Sequence, residues 1–227
     1  MKHIICSYKI TKEIEYNLAK LNLSPVKLRG LDKFGEFSPL NYHPDMFCFN
    51  LKNKTWIFYE SAYKNNKGLL DKLNLDIIIE PDPVCGKYPH DIGLNCAKVG
   101  GSLICAKKYA NKKILETAEN IIDVKQGYAR CSTCISGESV ITSDKSVYKN
   151  FKGDKLLIEP GHIDLFEYNC GFIGGCSGYF ENKLLFTGDI KSHPDYLKIK
   201  GFCDGKKITV ISLSQKKLRD YGGLFII

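Results

Sequence analysis

Gly222-Gly223-Leu224-Phe225-Ile226-Ile227 reads as one short strand behind a glycine turn, with no later segment to pair with it. At the other end, His3-Ile4-Ile5-Cys6 reads as a strand lacking an antiparallel neighbour; a helical stretch over residues 11–21 and a strand over 25–28 follow it. Neither fragment can cover its own apolar faces. Joined, they complete a unit of two adjacent strands, a helix and a third strand.

The residues between them repeat that unit. In the first full copy, Met46-Phe47-Cys48-Phe49-Asn50 turns at 51–54 and returns as Thr55-Trp56-Ile57-Phe58-Tyr59; a helix over 60–73 and a buried strand over 75–79 follow. The second has strands at 95–99 and 102–105 around Gly100-Gly101, a helix near 112–120 and a strand at 121–125. The third runs through strands 131–135 and 140–143, a helix at 145–151 and a strand at 155–158. The fourth has strands at 170–174, 178–181 and 183–187, a helix starting near His193 with Ser192 as its cap, and a strand at 208–213. Repeats of about 35–50 residues that cannot bury both faces alone must cover one another. The expectation is a single α/β domain over residues 1–227: a five-bladed β/α-propeller of ββαβ repeats with pseudo-fivefold symmetry, its fifth unit split between the termini. Closure would protect the strand edges.

Composition bounds the function. The chain has 227 residues, 44% hydrophobic and 26% charged, so disorder, collagen and coiled coil are excluded. No apolar run approaches the roughly 20 residues of a membrane-spanning helix. The net charge is +8, but the only arginines are Arg29, Arg130 and Arg219, and the lysines are scattered. Dispersed lysine reads as a solvated surface, and no basic-aromatic module for nucleic acid is present. Ten cysteines without a recognisable targeting segment predict free thiols in a reducing cytoplasm. Nothing in the sequence sets an oligomeric state, and no cofactor motif is visible.

Four of the five histidines stand beside an aspartate or one residue from it: His43-Pro44-Asp45, His90-Asp91, His162-Ile163-Asp164 and His193-Pro194-Asp195. Each falls at a junction between elements, and in a ring such junctions gather at one end of the axis, where chemistry collects on a rigid scaffold. A carboxylate beside an imidazole fixes its tautomer and raises its basicity, which suits acid–base work. The pair at 193–195 reads instead as a helix start. The pairs at 90–91 and 162–164 follow acidic-proline turns and are the stronger site candidates.

With these features the chain resembles the pentein superfamily of guanidino-group-modifying enzymes: deiminases, dimethylarginine hydrolases and amidinotransferases. The resemblance covers the repeat architecture. More closely, the runs from Lys125 through Cys131 to Ile135, from Ile141 to Lys145, and Ile158-Glu159-Pro160-Gly161-His162-Ile163-Asp164 look like an uncharacterised bacterial family of that fold. The resemblance implies a small cationic guanidino or amine ligand in an axial pocket and a C–N hydrolase-like activity. Taken with the His/Asp pairs, this reading has Asp91 and Asp164 as cation-binding acids and His162 as the acid–base group, with His43, Asp45, His90 and Gln126 lining the site. His90 stands where the superfamily has arginine, and Gln126-Gly127 where it has Glu-Gly.

The superfamily's nucleophilic cysteine follows a glycine-rich turn near the C-terminus. Gly222-Gly223 matches the turn, but residues 224–227 hold no cysteine. Covalent attack on a guanidinium carbon needs a thiolate. Cys176 and Cys6 are the candidate replacements. The rival readings are a non-catalytic ligand-binding protein and a metal-dependent enzyme using the His/Asp groups. Cys131-Ser132-Thr133-Cys134 has CxxC spacing, but in a strand setting its sulfurs face opposite ways, which argues against a redox or zinc site.

Overall fold

The computed structural model describes residues 2–31 and 38–227. Its strands form five three-stranded sheets of one design. In chain order the strands are β1 (Lys2–Ser7), β2 (Leu23–Leu28), β3 (Cys48–Lys52), β4 (Thr55–Tyr59), β5 (Asp76–Glu80), β6 (Ala97–Val99), β7 (Ser102–Cys105), β8 (Asn120–Asp123), β9 (Thr133–Ser136), β10 (Ser139–Thr142), β11 (Lys155–Leu157), β12 (Ser177–Phe180), β13 (Lys183–Phe186), β14 (Thr209–Ser212) and β15 (Phe225–Ile226). In each of the four continuous sheets a first strand pairs antiparallel with the second, and the second pairs parallel with the third across a helix.

The sheet made from the two ends follows the same rule. β15 pairs antiparallel with β1, Ile226 opposite Ile4, and β1 pairs parallel with β2. The crossover helices are α1 (Lys12–Lys20), α3 (Glu60–Leu70), α4 (Lys112–Glu116), α6 (Lys145–Asn150) and α7 (Tyr196–Asp204), with one-turn helices α2 (Pro44–Phe47) and α5 (Ala129–Ser132) ahead of β3 and β9. Local chemistry starts them: Thr11 Oγ1 accepts from Ile14 N, and Asp144 accepts from the amides of Ser146 and Val147, each satisfying donors a helix start leaves free.

Apolar clusters join every sheet to the next. Ile5 and Leu28 pack with Phe47, Trp56 and Phe58, and these with Leu103 and Cys105. Ile104 and Val99 pack with Val140 and Val147. Cys134 and Ile141 pack with Leu184 and Phe186. Leu185 and Leu213 pack with Ile4, Cys6 and Leu224, which returns the sequence of contacts to the first sheet. Among the innermost strands, β12 lies against both β9 and β15, and β9 against β6.

The elements depart from the sequence reading in four places. Residues 46–47 and 131–132 belong to α2 and α5, not to strands; Pro44 sits at the first helical position of α2, where its missing N–H costs nothing. Residues 170–174 form no strand, because their backbone is bonded sideways: Gly171 N to Ile163 O, Phe172 N to Asp220 Oδ2 and Gly175 N to Cys131 O. The expected cap Ser192 lies instead in a 3-10 turn and donates to Asp189 O, while α7 begins after Asp195.

Candidate functional site

The segments leading into the five innermost strands meet at one end of the molecule. Asp45, ahead of β3, is fully enclosed and accepts a bond at Oδ2 from the Cys131 thiol, ahead of β9, at 2.8 Å. Asn95, ahead of β6, donates to the Asp45 carbonyl at 3.2 Å and to Cys131 Sγ at 3.1 Å, while its Oδ1 accepts from Arg130 N at 2.9 Å. Asp220, ahead of β15, accepts from Gly222 N and from Phe172 N, both at 2.9 Å. Its Oδ1 lies 3.7 Å from His43 Nδ1. Gly222 has φ +75, and a Cβ there would stand 2.4 Å from His43 Cα, so only glycine allows the approach.

This nest is electrostatically strained. Burial pushes the Asp45 carboxyl up from its ordinary value; the His43 ring opposes the shift and the Asp220 carboxylate adds to it. Burial, with the Asp45 and Asp220 charges, also drives the Cys131 thiol well up. Such a sulfur is held as S–H, the donor that Asp45 uses, and not as a nucleophilic thiolate.

Asp91 stands in a second group on the same set of lead-in segments. It is 1% exposed; Oδ2 accepts from the Tyr128 hydroxyl at 2.9 Å, and Oδ1 finds no partner within the described protein. Burial raises its carboxyl above the ordinary range, with the Tyr128 hydrogen bond opposing. The Tyr128 ring packs against Tyr88 at 5.7 Å between centroids and against Phe172 at 6.5 Å. Gly127 permits the Tyr88 contact, since a Cβ there would meet the Tyr88 ring edge at 2.4 Å. Gln126 turns away and donates to Asp144 at 3.2 Å, while its carbonyl caps Tyr128 N.

The structure therefore divides the sequence candidates. His43 and Asp45 are buried together; Asp91 is buried beside Tyr128; His90, His162 and Asp164 are exposed. His162 lies edge-on to His193 at 5.3 Å, with Nε2 3.5 Å from Glu159. Asp164 bridges Arg219 along the backbone and lines a cleft of about 200 Å³ with Thr187, Lys216, Arg219 and Tyr221. No described contact joins Asp91 to Asp164. Both candidate nucleophiles are sealed: Cys176 Sγ bonds Ile173 O with its thiol driven well up by burial, and Cys6 Sγ faces Val26 O with its thiol raised to about 12. Among the described residues no group of three or more His, Cys, Asp or Glu is arranged to hold a metal. The two CxxC sulfurs lie apart in character, Cys131 in the polar nest and Cys134 in the apolar cluster with Cys176 and Leu184.

Residues 5–225 match the model of a family described as "Family of unknown function (DUF6873)". The chain belongs to this family. No curated protein sequence matches it significantly. Among solved structures, this member of the family is similar to DDAH from Pseudomonas aeruginosa, a cysteine-to-serine variant complexed with citrulline (TM-score 0.54, 8% identity, covering 100% of this chain and 99% of that one). It is also similar to the C. jejuni agmatine deiminase (0.55, 10%, 94% and 87%) and to SxtG, an amidinotransferase of saxitoxin biosynthesis from Microseira wollei (0.55, 9%, 94% and 88%). The chain thus has the fold of the pentein, guanidino-group-modifying proteins; at these identities the likeness is one of fold.

Sequence reasoning missed Asp220, Asn95, Cys131 and Tyr128. Each lies in a lead-in segment, and its place in the site appears when those segments are brought together. Tyr88 and Tyr128 carried a usable signal, as aromatic residues beside His90-Asp91 and Gln126-Gly127.

Proposed function

We propose that the chain is a closed five-bladed β/α-propeller that binds a small guanidino or amine cation at the end of its axis where the lead-in segments meet, without covalent chemistry. The observation that carries this reading is the unpartnered, buried oxygen of Asp91 beside Tyr128, whose ring packs in turn against Tyr88 and Phe172. A carboxylate buried without a counter-charge is costly, and a cation stacked on aromatic faces relieves it. His162 and Asp164 lie on the loop that also carries Phe172, but their contacts are with His193 and Glu159 and with the Thr187–Arg219 cleft, and they have no part in this reading. The superfamily likeness supports the ligand class: one of the similar structures holds citrulline, and another is an agmatine deiminase. The thiols support the non-covalent reading, since burial favours the protonated form of Cys131, Cys176 and Cys6.

Calorimetric titration with methylguanidine against its neutral analogue methylurea tests the proposal. Methylguanidine binds and methylurea does not; Asp91→Asn weakens binding about 10–100-fold, the worth of a charge-assisted hydrogen bond. Equal binding of the two probes, or an unaffected Asp91→Asn variant, overturns it. Release of ammonia or urea from agmatine by the wild type would instead favour a hydrolase, and Cys170, half-exposed on the loop of His162 and Asp164, would then be the sulfur to replace.

A further inference from the structure

The innermost strands line a separate, open pocket of about 290 Å³. Each of these strands contributes to it: Phe49 and Asn50 from β3, Lys98 from β6, Ile135 from β9, Tyr179 from β12, Phe225 and Ile226 from β15. Trp56 and Arg130 complete the wall. The described lining contains two cations and no carboxylate.

Arg130 is the unusual group. It is 6% exposed, and no ion pair to it is found among the described residues. Its Nη1 donates to Thr133 O at 3.3 Å and Gly174 O at 3.1 Å, and the guanidinium lies over the Phe225 ring at 4.8 Å. The Nη2 and Nε donors bond to no described protein group. Asp45 is within electrostatic reach, but burial pushes that carboxyl toward its neutral form. A guanidinium so placed has no ion-pair partner among the described residues and keeps a free hydrogen-bonding edge.

A second, independent group points the same way. Trp56, 1% exposed, lies edge-on to Phe225 at 6.3 Å, and its indole N–H finds no acceptor within the described protein. Buried donors are normally satisfied. The indole N–H is an orphan, and its side chain lines the same pocket as the Arg130 fork; Phe49, Ile135, Leu224, Phe225 and Ile226 give that pocket a mostly apolar wall. Donors without acceptors select an anion, a planar fork selects a carboxylate, and apolar walls select an apolar body.

We propose that this axial pocket binds a small organic carboxylate with an apolar body, its charged end held by the Arg130 guanidinium and the Trp56 indole N–H. Lys98, exposed and donating to Leu51 O, adds positive potential beside it. The site is distinct from the one around Asp91 and selects the opposite charge.

Trp56 is the only tryptophan in the chain, so its emission reports the site directly. Cyclohexanecarboxylate, which does not absorb where tryptophan is excited, is titrated into the protein alongside cyclohexanecarboxamide, cyclohexylmethylamine and inorganic phosphate. The carboxylate produces a saturable change in emission and in the indole N–H resonance; the amide, the amine and phosphate bind at least tenfold more weakly. Arg130→Lys keeps the charge but loses the fork and weakens the carboxylate at least tenfold. Ile135→Phe, which fills the pocket from a half-buried strand position, abolishes the response with far-ultraviolet circular dichroism unchanged. An amide that binds as well as the carboxylate overturns the proposal, as does phosphate matching the carboxylate or a normal response from Ile135→Phe. The probe comparison in the wild type decides the matter even if Arg130→Lys does not fold.

Discussion

Leu224→Ala tests how firmly the two ends of the chain are held together. Leu224 is 2% exposed and packs in the cluster with Ile4, Cys6, Leu185 and Leu213, which joins the first sheet to the last. Its amide donates to Ser177 O at 3.0 Å, and a Cβ on the neighbouring Gly178 would meet Leu224 Cβ at 2.5 Å. Loss of the side chain beyond Cβ costs about 2–2.5 kcal/mol in transfer free energy alone, at ~0.8 kcal/mol per methylene. The backbone on both sides is pinned, by the Ser177 bond and by Gly223 N to Gly175 O at 2.7 Å, so the void cannot collapse. That places the total at about 3–4 kcal/mol, within the range for Leu→Ala in cores. Of a total stability of about 5–15 kcal/mol, this is a large share. With a urea slope of about 2–3 kcal/mol per molar, the midpoint should fall by about 1–2 M. The assay is equilibrium unfolding followed by Trp56 emission and far-ultraviolet circular dichroism, with Leu197→Ala, 79% exposed on α7, as the control expected to stay within ~0.5 kcal/mol. A midpoint shift below about 0.3 M, at unchanged slope, would refute the claim that residues near the end of the chain lock the structure.

Gly174→Ala is expected to be still more damaging, because a Cβ there would stand 2.3–2.5 Å from the carbonyl oxygens of Arg130, Cys131 and Thr133; loss of soluble expression or of a cooperative melt is the readout. Asp45→Asn should stabilise the protein at neutral pH. The folded-state pKa of Asp45 is raised, so the native state holds this proton more tightly than the unfolded chain, and stability from this group declines as pH rises from about 4 through the raised value. Urea midpoints measured from pH 4 to 8 should therefore fall less steeply in the variant than in wild type; a steeper fall contradicts the sign. Iodoacetamide on the native protein should label Cys85 and Cys170, the two half-exposed thiols, ahead of the eight buried ones, as read by peptide mass spectrometry; fast labelling of Cys176 or Cys6 would reopen their candidacy as nucleophiles.

Cation binding at Asp91 carries its own pH signature. The carboxyl is raised above its ordinary range, so methylguanidine affinity should fall as pH drops through that raised value, earlier than for an exposed aspartate. Calorimetry across pH 4–8 measures it, and an affinity independent of pH over that interval contradicts the assignment of Asp91 as the anchoring charge.

The amino-acid sequence by itself determined the repeating unit and the pairing of the ends. Alternation of apolar residues within short runs such as Thr55 to Tyr59, and the glycine and asparagine turns between them, are local signals that survive in any context. A strand with no neighbour in sequence, as at 225–226, can be satisfied only by another such strand, and His3 to Cys6 is the complementary one. It also determined that acids and imidazoles stand at the junctions. What it left open is which of them face inward. His43-Pro44-Asp45 and His162-Ile163-Asp164 are nearly the same motif, yet the first is buried against Asp220 and Cys131 and the second is exposed. The difference lies in what each loop packs against, and those partners are 86 or more residues away in the chain. Arg130 and Trp56 show the same limit. An arginine before a strand and a tryptophan within one are ordinary by sequence; only the convergence of five inner strands brings them to one pocket. Local periodicity fixes elements, but burial, and with it charge state and ligand preference, is a property of the space that distant segments enclose.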